Sequence, residues 1–297
     1  ASSRSPGSRT QRPGVAPELV HAAPVALGSM WTDFPTGDVE LVDLSIGLES
    51  GAASEPFPPE IEYRDHRTGA ERLAAHLREM GFGVEATDFP DGMGLASEEL
   101  TLIPHTGTHM DSPWHYGPEV AGEPSRTIDQ VPIRWCAGEA VVLDFTWKEP
   151  RSEISAEEVE DQLEALDHEL SPGELVFLET GADELWGTAE YLTEFPGMGA
   201  GATKYLVEAG IRVIGTDAYG FDKPFVEMGR RFDETRDSSE LWPAHFAGRE
   251  VEYCQIEKMA NLDALPRRTG IPVAAFPIEI EGGSGGWVRP VAFVGEE

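Results

Sequence analysis

The eleven residues HTGTHMDSPWH, 105 to 115, hold three of the chain's eight histidines together with an aspartate. Imidazoles and a carboxylate packed this closely either sit in solvent or share a cation. His105, Gly107, His109, Asp111, Pro113 and His115 alternate along the segment, so an extended backbone would line them on one face. A straight strand, at about 3.3 Å per residue, would still leave His105 about 13 Å from His109. Ligand atoms on one ion stand only about 2.0–2.2 Å from it. The chain must therefore fold back between the two histidines. Gly107 permits the positive φ that such a turn needs, and Pro113 blocks regular structure beyond Asp111. The coincidence of these groups directly after a predicted strand favours a metal site over a histidine-rich surface loop.

Imidazole and carboxylate donors suit Zn²⁺ or a similar divalent ion. An aspartate has two oxygens and can bridge two ions about 3.5–4 Å apart, provided further ligands come from elsewhere. Among the other histidines, His21 lies in the N-terminal segment, His66 beside charged residues, His76 on a predicted helix surface and His168 at the end of an acidic helix. His245 differs. In LWPAHFAG it sits among Trp, Pro and Phe, a poor place for an unpaired imidazole. Twelve residues on, Glu257 falls within YCQIEKMANL, on an apolar strand. Two readings of Glu257 stand side by side: a structural carboxylate paired with an arginine, or a metal ligand.

Elsewhere the sequence reads as a mixed α/β chain. Strands are expected at DVELVDLS, EIEYRD, ELTLIPHTG, EAVVLDF, ELVFLE, RVIGTD, REVEYCQIE, VAAFPIEIE and VRPVAFV. Helices are expected at GAERLAAHLREMGFG, with a Leu73–Leu77–Met80 stripe, at SAEEVEDQLEAL and at GATKYLVEAG. Ser155 and Glu158 form a capping box for the second of these. EGGSGG, 281 to 286, lacks the Lys-Ser/Thr of a phosphate cradle and reads as a turn or a site rim. Residues 1–37, rich in Ser, Pro and Gly, are expected to be a flexible arm without a secretory signal, and 38–297 one folded domain. The formal charge of −32 argues against nucleic acid and anionic membranes as partners. Four lysines against eighteen arginines fit a high-GC or salt-adapted host. Two cysteines are too few for a disulfide framework, and no apolar run is long enough to span a membrane, so a cytoplasmic location is the expectation.

The 105–115 segment resembles the H-x-G-T-H-x-D-x-P-x-H signature of the metal-dependent cyclase family, with every fixed position present. That family includes bacterial kynurenine formamidase, isatin hydrolase-like enzymes and ring cyclases of aromatic polyketide pathways. TGADELWGT, GIRVIGTDAYGFDKPF and IEKMANLDALP resemble its later blocks, so the likeness runs from about residue 38 to 294. It implies a swivelling β/β/α-type fold and a homodimer or homotetramer. It implies further that His105, His109 and Asp111 hold a first ion, with Asp111 bridging to a second held by His245 and Glu257. His115 matches the general acid/base. One or two divalent ions, Zn²⁺ or Mn²⁺, are the expected cofactors. Lys258 departs from the pattern, standing where an Asn is usual, and Trp114 and Tyr116 bracket His115 with aromatic bulk.

Such a centre stabilises negative charge developing on a substrate oxygen. In a ring cyclase that charge belongs to an enolate, in a hydrolase to a tetrahedral intermediate. His115 serves either by moving a proton. Trp114, Tyr116, Tyr219, Phe221 and Phe225 are candidates for the flat walls of a pocket for a polycyclic aromatic small molecule, ordinary core packing being the alternative for each. Aldol-type ring closure of an aromatic polyketide intermediate is the sequence's leading reading. Hydrolysis of an amide, lactam or lactone follows it, and a non-catalytic metal-containing binding protein is a third.

Overall fold

The computed structural model describes residues 39–295. Nine strands build its main sheet: β1 (Val39–Asp43), β2 (His109–Asp111), β3 (Ala137–Asp144), β4 (Leu175–Glu179), β5 (Val213–Thr216), β6 (Cys254–Glu257), β7 (Ile271–Ala274), β8 (Gly285–Trp287) and β9 (Val291–Gly295). Their spatial order is β1-β9-β7-β3-β4-β5-β6-β2-β8. The middle four, β3 to β6, run parallel, and every other neighbouring pair is antiparallel. The α-helices of the described residues are α1 (His66–Glu79), α2 (Pro113–Tyr116), α3 (Ala156–Ala165), α4 (Ala200–Glu208), α5 (Phe225–Thr235) and α6 (Pro243–Ala247). None is long and apolar enough to cross a membrane.

The Val- and Leu-rich runs become strands because both faces of the central sheet are covered. Ala140, Val142, Leu175, Phe177 and Val213 face one apolar cluster with Met110, Ile256 and Ile271. Val141, Leu143, Val176, Leu178 and Ile214 face the other, where Val159 and Leu163 of α3 and Ala202, Leu206 and Val207 of α4 close over them. The Ser155–Glu158 capping box starts α3 as the sequence implies. Cys136 and Cys254 are buried free thiols.

The structure corrects several boundaries. ELTLIPHTG is not one strand: Ser97–Thr101 pairs with Glu60–Arg64 in a separate two-stranded antiparallel sheet, and an irregular stretch then leads to β2. The buried face of α1 is Gly69, Ala70 and Ala74, while Met80 is exposed. Small residues are needed there because a Cβ at Gly69 would lie 2.0 Å from the Leu95 carbonyl oxygen. REVEYCQIE yields a strand only from Cys254, and VAAFPIEIE only to Ala274. Pro113 ends β2 as expected but also opens α2, since its fixed φ suits the first helical position. The expected flexible arm, 1–37, and His21 lie outside the described residues.

Candidate metal centre and active site

Strand register assembles the heart of the site. β2 runs between β6 and β8, with Asp111 opposite Gln255 and Gly285, Met110 opposite Ile256, and His109 opposite Glu257 and Trp287. Side chains alternate along strands, so His109, Asp111, Gln255 and Glu257 share one face, while Met110 and Ile256 enter the core behind it. Gly285 keeps the β8 side open: a Cβ there would stand 3.0 Å from His105 Cε1 and 3.2 Å from Asp111 Oδ1.

The fold-back expected before β2 is present. Gly107 has φ +64°, and the rings of His105 and His109 lie 5.0 Å apart. His105 Nδ1 is 2.6 Å from Asp111 Oδ1, and its Nε2 is 3.0 Å from Ser284 Oγ, which makes the glycine loop a rim of the site. α2 swings His115 round so that its Nε2 stands 3.9 Å from Asp111 Oδ2. α6 delivers His245 from the far side, with Nε2 3.8 Å from Asp111 Oδ2 and 3.7 Å from Glu257 Oε1. Buried Asp222 fixes that ring. It accepts from His245 Nδ1, from the Ala244 amide at 2.6 Å and from the His245 amide at 3.2 Å. Residues 105, 109, 111, 115, 245 and 257 thus converge.

Do these groups suit a cation? His109 Nδ1 lies 2.9 Å from the Gly107 carbonyl, which can only accept, so Nδ1 carries the proton and Nε2 a lone pair. That Nε2 is buried without a hydrogen-bond partner, 3.3 Å from Asp111 Oδ1 and 3.6 Å from Glu257 Oε2. An orphaned imidazole lone pair facing two carboxylates is the environment a divalent ion would satisfy, and the donor set fits Zn²⁺ or Mn²⁺. The two carboxylates divide the space. Asp111 Oδ1 and Glu257 Oε2 face His109, while Asp111 Oδ2 and Glu257 Oε1 face His245. Among the described residues, two combinations bring one ligand atom from each residue within 4.8 Å of the others, His105–Asp111–His115 and His109–Asp111–Glu257, and His245 belongs to neither. His115 is therefore placed for a ligand role as well as for proton transfer.

Charge in the site is distributed unevenly. Burial works against the Asp111 carboxylate, yet His115, His109 and His105 hold it well below the usual carboxylate range. Burial and the nearby Asp111 charge push Glu257 up. Burial drives His115 down to about 4; Asp111 opposes this, and the neighbouring imidazoles reinforce it. Burial also opposes charge on His245, but Asp222 prevails and raises it to about 9.

A cavity of about 210 Å³ opens onto this centre. Phe57, Phe195, Tyr219, Phe221, Phe225 and Trp242 give it aromatic walls, with His105, His115, His245 and Glu257 at the floor. Tyr219, Phe221 and Phe225, candidates from the sequence, line the cavity. Trp114 and Tyr116 are not among the lining residues. Trp114 is half exposed elsewhere, and Tyr116 is buried in the core, stacked on Tyr253 at 5.0 Å and edge-on to His245 at 5.6 Å. Their neighbour His115 faces the cavity because a single helical turn points successive side chains in different directions.

Sequence reasoning passed over three residues, Asp222, Gln255 and Glu55. Asp222 shows no spacing relation to His245 that would betray their contact. Gln255 had a signal: it lies two positions before Glu257 and so on the same face of a strand. Glu55 and Lys258 form a buried pair behind the 105–108 loop. Only the second of them drew notice, as a departure from a pattern.

The family model Cyclase ("Putative cyclase") matches residues 42–223. Isatin hydrolase of Roseibium aggregatum is 25% identical over 293 residues, covering 92% of this chain and 98% of that protein. An isatin hydrolase crystal structure with the product analogue thioisatinate superposes with a TM-score of 0.67 at 24% identity, over 88% of this chain and 94% of the other. A structure described as a novel cyclase gives 0.64 at 17% identity, over 86% and 89%. These two superpositions establish a shared fold. With its family model spanning more than half its length, the chain belongs to the Cyclase family of metal-dependent enzymes.

Proposed function

We propose that this enzyme hydrolyses an amide-type bond in a small, planar, ring-fused substrate, with a lactam as the best fit, at a centre of two divalent ions. The size of the cavity carries this reading. About 210 Å³ falls below the range of about 300–1,000 Å³ typical of clefts for drug-sized ligands. One or two fused rings suit it, whereas a folded polyketide chain of three or four rings does not. The kinship with isatin hydrolase, which extends over nearly the whole of both chains, supports the same choice. Ring closure of a polyketide, favoured by the sequence, becomes the second candidate for this reason of space.

His105, His109 and Asp111 would hold one ion, and His245, Glu257 and the other Asp111 oxygen the second. When bound, such ions polarise a carbonyl and acidify water. The chain's own groups supply the rest. His115, neutral near pH 7, removes a proton from the attacking water and returns one to the departing nitrogen as the C–N bond breaks. Tyr219, Phe221 and Trp242 stack against the flat substrate and keep bulk water from the carbonyl. The Asp222–His245 contact holds that imidazole in one tautomer with Nε2 toward the centre.

Purified protein loaded with Mn²⁺ or Zn²⁺ should open isatin or a related bicyclic lactam, read by the loss of its visible absorbance. N-formylkynurenine and a bicyclic poly-β-ketone-derived intermediate serve as the competing substrates. A ring-closed product from the last of these, with no turnover of any amide or lactam, would replace hydrolysis by cyclisation.

A further inference from the structure

Gln255 is a fully buried amide in a strand whose opposite face, Cys254 and Ile256, packs into the apolar core. Its register partner is Asp111, and Glu257 is its neighbour on the same face. Its Nε2 stands 3.0 Å from Asp111 Oδ2, 2.7 Å from His245 Nε2 and 3.0 Å from Glu257 Oε1. At its other end, Oε1 lies 3.0 Å from Tyr253 Oη, which also lies 3.0 Å from the Ala244 carbonyl.

The hydrogens do not balance in that orientation. With His245 Nδ1 bonded to Asp222, His245 Nε2 either carries a lone pair, so that the amide's two hydrogens face three acceptors, or carries a hydrogen, so that donor faces donor at 2.7 Å. Tyr253 has one hydrogen for two acceptors. Turning the amide by half a turn about its last torsion, a freedom that a primary amide has at little cost, changes both counts. Nε2 then donates to Tyr253 Oη, and Tyr253 gives its hydrogen to Ala244. Oε1 now faces two carboxylates and His245 Nε2, making four donor atoms that a cation, taken up in exchange for any proton the site holds, would share. Adjacent donors about 2.1 Å from a shared ion stand roughly 3–3.5 Å apart. The Gln255 terminus lies 2.7–3.0 Å from the three atoms around it, and His245 Nε2 lies 3.8 Å from Asp111 Oδ2 and 3.7 Å from Glu257 Oε1. The donors thus bracket that separation and would adjust by a few tenths of an ångström around an ion.

We infer that Gln255 is a metal ligand through its side-chain oxygen, completing with His245 Nε2, Asp111 Oδ2 and Glu257 Oε1 the donor set of the second ion, and that Tyr253 holds the amide in the turned orientation. This rests on the two-ion reading above, and the test separates the two. Mn²⁺ is titrated into metal-stripped protein, with free Mn²⁺ followed by its electron paramagnetic resonance signal. Wild type takes up two equivalents, Gln255→Leu binds its second ion at least 10-fold more weakly, and Gln255→Glu, which keeps an oxygen there, retains two. Circular dichroism reports whether each variant folds. Should the Leu variant not fold, Gln255→Asn, which draws the oxygen back by one methylene, takes its place with the same expected loss. Two unchanged equivalents in the Leu or Asn variant would overturn the ligand role and leave the hydrolase reading standing. One equivalent in wild type and two in Gln255→Leu would overturn it in the opposite sense, the amide N–H₂ then occupying the place of an ion. Wild type that binds no Mn²⁺ or Zn²⁺ would defeat the underlying reading itself.

Discussion

Lys258 offers the strongest test of how the first histidine is held. Its ammonium lies 2.8 Å from each Glu55 oxygen and 2.9 Å from the His105 carbonyl, so all three hydrogens are committed. Glu55 in turn accepts the Gly107 amide at 2.8 Å. Both side chains are almost wholly enclosed, at 3% and 4% exposure. Thr108 adds a second fastening, accepting the Ile46 amide at 2.7 Å and donating to the Lys258 carbonyl. Lys258→Met keeps most of the stem and removes the charge, stranding Glu55 with one N–H for company. Removing one member of a buried pair costs about 3–5 kcal/mol. At about 2.1 cal/mol/K per residue, a folded region of about 260 residues has an unfolding entropy near 0.55 kcal/mol/K. The variant should therefore melt about 5–9 °C below wild type by differential scanning calorimetry, and bind Mn²⁺ more weakly because the 105–107 turn is loosened. Combining it with Glu55→Gln, which leaves no unpaired charge, should cost clearly less than the sum of the single changes. A Lys258→Met protein that melts within about 2 °C of wild type, or a strictly additive double variant, would refute the reasoning.

Other outcomes follow from the same geometry. His109→Ala removes the orphaned Nε2 donor, and metal analysis should find at least one equivalent lost with turnover, while the melting temperature of the metal-stripped protein changes little. His115→Ala should keep its metal yet lose turnover by about 10²–10⁴-fold; unchanged turnover would remove its role. Because burial lowers His115 to about 4, its basic form is full above about pH 5 and is lost as pH falls through 4, so no limb of the pH–rate profile near 6.5 should belong to it. An inflection there that disappears in His115→Gln would contradict this assignment. A net charge of −32 repels itself, so the melting temperature should rise steadily as KCl is raised from about 0.05 to 1 M; a flat response would mean that the acidic surface is already neutralised by bound cations.

What the sequence made legible was local chemistry; what it hid was register. The fold-back at Gly107 followed from reach alone, since His105 and His109 cannot meet an ion along a straight strand. His245 stood out because an imidazole among Trp, Pro and Phe needs a reason to be there. Glu257 remained ambiguous because its partner in space, His109, is set by the antiparallel pairing of β2 with β6 across 148 residues of chain, and no periodicity encodes such a pairing. The same cause hid Gln255, although its two-residue step from Glu257 placed both on one face of any strand. Tyr116 erred in the other direction: adjacency to His115 suggested a pocket wall, but one turn of α2 separates neighbours by direction, and its ring lies beneath the site against Tyr253. Asp222 had no local signature because it acts through His245, from the other side of α5. In each case the ligand types could be read one at a time. The pairing of two short strands decided which oxygen faces which imidazole, and it set Gln255 directly opposite Asp111.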